Sequence, residues 1–374
     1  MAHAYTPGLR VTGSATLLRE RRLPLKGTVM VQAGVELAPD TIVARTELPG
    51  NVQMVNLAGR LSLDPARVAE SLTRPIGSPV KKGEVIASGK SLFGMIKHHV
   101  ESPADGVLES VSHVTGQLIL REPPIPVEMS AYVRGTVSEV LPEEGVVVRT
   151  QGAFVQGIFG VGGETFGPIA VVAPGPDKPL ERVHISPALR GKIVVGGAFV
   201  SYDGVMACRD AGVAAIVVGG FDDRDLRQLL GRDLGVAITG AEELGITLIL
   251  TEGFGHIRMA DRTWALLGEH RGEVASVSGA TQIRAGVMRP EIIIPSEGAA
   301  TPPAAADGGG ALEVGSLLRV IRAPYFGRIG RAVALPAELQ ALDSEASVRV
   351  VEVEFADDLT RAVVPRSNIE RIAE

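Results

Sequence analysis

Gly315 to Ile372 is the stretch whose fold is most narrowly prescribed. It runs Gly315-Ser-Leu-Leu-Arg-Val-Ile-Arg-Ala-Pro-Tyr-Phe-Gly-Arg-Ile-Gly330, then Val348-Arg-Val-Val-Glu-Val-Glu-Phe355 and Arg361-Ala-Val-Val-Pro-Arg-Ser-Asn-Ile-Glu-Arg-Ile372. Leu318 and Val320 sit at alternating positions, a Pro-aromatic-Gly turn follows, then a Gly-x-x-Gly reversal and three more short β-type runs. Period-two patterning broken by such turns predicts a small five-stranded barrel.

The 374 residues exceed what one simple core accommodates, so several domains are expected. With 45 Gly, 24 Pro and only 4% aromatic residues, many tight turns and short strands are implied. Cys208 is the single cysteine, so one chain assembles neither a disulfide framework, a Cys-based zinc site nor an iron–sulfur cluster. No run of eighteen apolar residues occurs. The first 26 residues carry Arg10, Arg19, Arg21, Arg22 and Lys26 without an apolar signal core. The expectation is a cytoplasmic protein with no membrane insertion. Net charge is +1 over residues 1–150, −4 over 151–300 and −3 over 301–374. Duplex DNA binding is not expected, because its affinity comes from a basic surface that releases counterions.

The fold class expected is multidomain and mainly β with one α/β unit. An N-terminal segment (1–22) precedes a compact β region (23–130), where Asp64 can cap and Pro65 can open a helix reaching Leu72. Residues 131–295 combine β structure with an α/β unit. Its strands are Lys192 to Gly197, Ala214 to Gly220 and Ile246 to Leu250, and its helices are Tyr202 to Ala211, Asp222 to Leu230 and about Arg258 to Leu267. Such alternation implies parallel strands. Gly157 to Gly167 has the composition of a phosphate-binding loop but leads into a strand instead of a helix, so a turn or close backbone contact is expected. Residues 296–311, rich in Ala, Pro and Gly, read as a solvated tether that frees the last unit, 312–374, to move.

Three resemblances attach to these residues. The Gly315 to Ile372 pattern resembles the KOW module of NusG-like transcription factors, an SH3-like barrel, which implies binding. The runs Gly77-Ser-Pro-Val-Lys-Lys-Gly-Glu-Val-Ile-Ala87 and Val100-Glu-Ser-Pro-Ala-Asp-Gly-Val-Leu108 resemble the two halves of a lipoyl or biotinyl hammerhead, especially the barrel-sandwich hybrid of Rnf-type and Nqr-type subunits. In carrier domains of that kind the modified lysine stands eight residues before the proline that matches Pro103; here Met95 holds that position and Lys97 is two residues off. The resemblance therefore implies a scaffold without a swinging arm and no cofactor. The block from Gly191 to Val218 is similar to swivelling β/β/α domains.

Candidate ligand-binding residues lie where the parallel strands end: Ser201, Asp203, Asp222, Glu252 and His256, beside glycines that allow close approach. Ser and Asp at these points also serve as helix caps and turn residues. No nucleophile–base–orienter spacing occurs among them, so no catalytic residue is nominated. His98 and His99, adjacent on a strand, point to opposite faces and are not expected to hold a metal. Cys208 shares a helix face with Val205 and Ala211 and reads as a small core residue. Candidate partner- or RNA-binding residues are Arg319, Arg322, Tyr325, Phe326, Arg328 and Arg331, guanidinium groups beside aromatic faces. Acidic Glu352, Glu354, Asp357 and Asp358 follow them. RNA or a ribonucleoprotein, a protein partner, or a purely structural role all remain open for this surface. The functional expectation is a non-enzymatic adaptor that binds a protein or ribonucleoprotein. The alternatives are a small-ligand enzyme or sensor using the α/β loops, and a bridging subunit of an electron-transfer assembly.

Overall fold

The computed structural model describes residues 9–91, 96–231, 244–281, 288–296, 312–320, 324–325, 328–336, 338–341, 347–356 and 358–371. It is mainly β, built from several sheets. No helix among the described residues is long and apolar enough to cross a membrane.

Chain order begins with a twelve-residue strand, β1 (Val11–Arg22). Between Leu23 and Ser130 the chain makes a four-stranded sheet, a three-stranded sheet and the hairpin of β2 (Val85–Ser91) and β3 (Ile96–Glu101). Strand Gln117–Arg121 shows why these pieces stack: Leu118 and Leu120 are fully buried with Val55, Leu108 and Ile86, while the residues between them are not. The tip of the β2–β3 hairpin, with Met95, lies outside the described residues. Asp64 does cap the following turn, its Oδ1 accepting from the Ala66 N–H at 2.8 Å, but Pro65–Ser71 is a 3₁₀ helix instead of an α-helix. Leu72 leaves that turn in an extended conformation and bridges to Ala87, which ends the helical path early.

The central body contains β4 (Gly145–Gln156), β5 (Phe159–Val161), β6 (Glu164–Val171), β7 (Ile193–Val195), α1 (Tyr202–Asp210), β8 (Ala215–Phe221), α2 (Asp223–Leu230), β9 (Thr247–Phe254), α3 (Asp261–Glu269), β10 (Val274–Ser278) and β11 (Glu291–Pro295). Parallel pairing joins β6, β7, β8 and β9, as the strand–helix alternation requires, with β6 as an additional parallel member. All of β8 is buried. Ile216 and Val218 pack toward Val205, Cys208 and Leu226 of the two helices, while Ala215 and Val217 pack toward Leu266, Leu267, Ile292 and Ile294. The Gly157 to Gly167 segment is strand, turn and strand, with Gly162 and Gly163 at positive φ.

The N-terminal segment is not separate. β1 pairs antiparallel with β4 from Val11 opposite Val155 to Arg22 opposite Gly145. The other edge of β4 is shared by strand Gly135–Leu141 and by β11. Side chains fasten this arrangement: Arg19 pairs with Glu291 at 2.5 Å and Arg21 with Glu164 at 2.6 Å, each through two guanidinium nitrogens.

Among the described residues the last unit carries a short pair, Gln340–Ala341 with Ser347–Val348, and five further strands, β12 (Leu317–Val320), β13 (Ile329–Ala334), β14 (Val350–Phe355), β15 (Arg361–Pro365) and β16 (Ile369–Arg371). These five form one antiparallel sheet in the order β15-β14-β13-β12-β16 around Leu318, Val320, Val351, Val353, Phe355 and Ile369. The tether 296–311, apart from Ser296, lies outside the described residues. The unit beyond it contacts the central body through buried side chains, Arg319 with Glu252 among them.

Gly152 marks the point where β1, β4 and β11 meet, paired with Ala15 and Pro295. A Cβ there would lie 2.0 Å from the Ile294 carbonyl oxygen. Gly152→Ala is expected to destabilise by about 1–3 kcal/mol, the usual penalty for forcing packed strands apart. Thermal unfolding followed by circular dichroism checks this, and an unchanged midpoint would contradict the pairing.

Candidate functional site

The carboxyl ends of the parallel strands are filled by the chain itself. A Cβ on Gly197 would sit 2.2 Å from the Gly175 and Lys178 carbonyl oxygens, and one on Gly219 2.0 Å from that of Ile257. These glycines admit close approach, as the sequence suggests, but the approaching group is backbone. Ala198 N–H donates to Lys178 O, Met259 N–H to Pro176 O and Ile257 N–H to Ala198 O. The crevice that open α/β sheets offer to ligands is thereby sealed by two loops.

The nominated polar residues follow the same logic. Ser201 Oγ accepts from the Gly204 N–H at 3.2 Å and Asp222 Oδ1 from the Arg224 N–H at 2.8 Å, each satisfying an orphan donor at a helix start. Asp225 Oδ2 accepts from the Tyr202 N–H at 2.8 Å, which ties the starts of α1 and α2 together. Asp203 stands exposed in the first turn of α1. His256 stacks on Phe199 with ring centroids 3.6 Å apart. Cys208 is buried in the core and burial pushes its thiol up to about 11, which leaves it protonated and inert at neutral pH. His98 and His99 are exposed neighbours on β3. Among the described residues no three His, Cys, Asp or Glu side chains gather at metal-binding distance.

Glu252 is different. It lies within the buried run of β9, is 6% exposed, and uses both carboxylate oxygens. Oε1 accepts from the Ala260 N–H at 3.0 Å and Oε2 from Nη2 of Arg319 at 2.8 Å. Arg319, on β12 of the terminal unit, is 2% exposed, and its Nη1 donates to Glu370 Oε1 on β16 at 2.7 Å. Arg289, just before β11, pairs with the other Glu370 oxygen at 2.8 Å. Two guanidinium groups and two carboxylates from four segments of the chain thus form one buried, charge-balanced cluster. Arg319 was expected to face a partner; it is instead the bolt between the terminal unit and the central body. Strand alternation puts it opposite Leu318 and Val320, on the outer side of its sheet, and that side is covered by the body.

The remaining members of the nominated basic face are divided. Arg322 and Phe326 lie outside the described residues. Tyr325 is half-buried and packs on Phe355 with centroids 5.2 Å apart, as part of the unit's own core. Arg328 lies over the Phe355 ring at 3.8 Å and pairs with Asp358 at 2.7 Å. Hydrogen bonds from the Thr360 hydroxyl and backbone N–H, together with Arg328, hold the Asp358 carboxyl at about 2. Arg331 is exposed, donates to the Gly315 carbonyl at 2.9 Å and stands opposite Glu354, which pairs with Arg361 at 2.8 Å. The outer row on this side therefore alternates Arg331, Glu354, Arg361.

Sequence reasoning placed Glu252 in a ligand site and did not single out Glu370 or Arg289. The available signal was a lone charge inside an apolar run, as in Leu317-Leu-Arg-Val320 and Thr247-Leu-Ile-Leu-Thr-Glu252. Compared with known proteins, the chain matches no family model and no curated sequence.

Glu252→Ala leaves the buried Arg319 with one carboxylate fewer and is expected to cost about 3–5 kcal/mol. Adding Arg319→Met should recover part of that loss, because the stranded charge goes with it. Chemical denaturation of the two variants measures the difference, and equal stability of single variant and wild type would show the cluster to be loosely held.

Proposed function

We propose that this chain is a cytoplasmic, non-enzymatic adaptor that holds a protein partner. In this reading the N-terminal module is a lysine-less barrel-sandwich hybrid, the α/β unit a swivelling-type domain and the terminal unit a KOW-type, SH3-like barrel. The observation that carries the reading is the use made of Glu252. The side chain best placed for ligand chemistry seats the barrel instead, so the α/β unit acts as a mount that fixes the barrel's orientation.

The choice of a protein over RNA rests on charge. A phosphate backbone is held by cations in excess of neighbouring anions. Here Arg319 is neutralised by Glu252 and Glu370, Arg328 by Asp358, and Arg331 and Arg361 flank Glu354. The exposed side also presents Leu359 and Val363, 73% and 51% exposed. Mixed charge beside apolar side chains suits a protein surface. The reading as a ligand-dependent enzyme or sensor draws less support, since loops of the chain occupy the strand ends.

In cells, the chain carrying Arg331→Glu and Arg361→Glu is expected to keep its melting temperature and to recover about tenfold less of a co-purifying protein. Ultraviolet crosslinking to RNA should remain at background in both forms. RNA crosslinking that disappears in the variant would replace the protein reading with the ribonucleoprotein one. Metabolite turnover abolished by Asp203→Ala would overturn both.

A further inference from the structure

A notch of about 900 Å³ opens on the large sheet, on the face opposite Leu17, Val137 and Val148, away from every residue nominated above. Its origin is a change of partner along β4. Pairing with strand Gly135–Leu141 ends where Thr136 faces Arg149, and pairing with β11 begins where Gly152 faces Pro295. Thr150 and Gln151 lie between the two partner strands, and the Ser296 N–H closes the far side by donating to the Gln151 carbonyl. Two strands diverging from one edge leave a concave space.

The floor follows from register. Thr16 is opposite Gln151, and Arg149 is opposite Thr136, which is opposite Glu36. Directly opposed residues project from the same face, and here the alternate residues Leu17, Val137 and Val148 occupy the core. Arg134 joins the lining from the start of strand Gly135–Leu141. Arg149 is exposed, and among the described residues no carboxylate pairs with it.

We propose that this notch binds a phosphorylated sugar. Arg149 supplies the planar donors that recognise a phosphate. Thr16 and Thr136 supply donors and acceptors for hydroxyl groups, and Glu36, two strands from Arg149 and so roughly 10 Å away, accepts from the hydroxyls at the other end. The volume falls in the range of small-molecule sites. None of the lining residues is aromatic, so a base finds no stacking platform, which favours a sugar phosphate over a nucleotide. This site is independent of the barrel and of the partner it is proposed to hold.

The test is calorimetry and thermal shift on the full chain with glucose 6-phosphate and ribose 5-phosphate, against glucose, inorganic phosphate and ADP. A sugar phosphate is expected to raise the melting temperature, since it binds only the folded state. Arg149→Ala should weaken it about tenfold or more and Thr136→Val less, with Arg149→Lys intermediate. Arg361→Ala, on the barrel, should leave it unchanged. The proposal fails if neither sugar phosphate binds, if Arg149→Ala binds them as well as wild type, or if ADP or free phosphate binds at least as tightly. Arg149 is a surface residue, and an unaltered circular dichroism spectrum and melting temperature of the ligand-free variant separate lost binding from lost folding.

Discussion

A guanidinium removed from water is tolerated only while carboxylates surround it, and for Arg319 those carboxylates come from two different units. Glu370 is its cross-strand neighbour in the terminal sheet, whereas Glu252 lies 67 residues away near the end of a parallel strand. Separating the units would leave Arg319 and Glu370 facing Arg289 no longer, and would strand Glu252 against its one backbone donor. Burying each ion is costly alone and acceptable only together. The cluster thus gives the last sheet a defined seat on the central body.

The same chemistry recurs at the other end. β1 carries Arg19 and Arg21 on the side of Leu17, and both guanidinium groups reach carboxylates on the central body. Arg19 also lies over the Phe154 ring and Arg21 over Tyr132. Forked Arg–Glu pairs set distance and angle as well as energy. Between hydrophobic clusters that are indifferent to small sliding, such pairs specify one register and one orientation. The proposed adaptor role requires that property.

Much of the local structure was legible. The strand–helix alternation from Lys192 to Leu267 appears as parallel β7, β8 and β9 with α1, α2 and α3, and the burial of Cys208 follows from its helix face. Asp64, Ser201 and Asp222 cap as their residue types allow. The five-stranded sheet of the last unit falls within the expected segment. These features depend on neighbours in sequence, where periodicity and capping operate. The pairing of β1 with β4 was not legible, because an antiparallel ladder across more than a hundred residues leaves no local mark on either strand. The filling of the strand ends was not legible either: glycine at Gly197 or Gly219 permits close approach without naming what approaches.

Arg319 shows where the boundary falls. Its sequence determined that it would project from the outer side of a strand, opposite Leu318 and Val320, since alternation along a pleated backbone admits nothing else. Whether that outer side meets water or another part of the protein is decided only when the central body packs on it, and with that decision the residue changes from a surface contact to a buried bolt. The notch beside Arg149 arises the same way, because a gap between two strands that share one edge exists only after both have paired. Local order is written in neighbouring residues; the environment of each side chain is set by packing, which joins segments that no short stretch of chain encodes together.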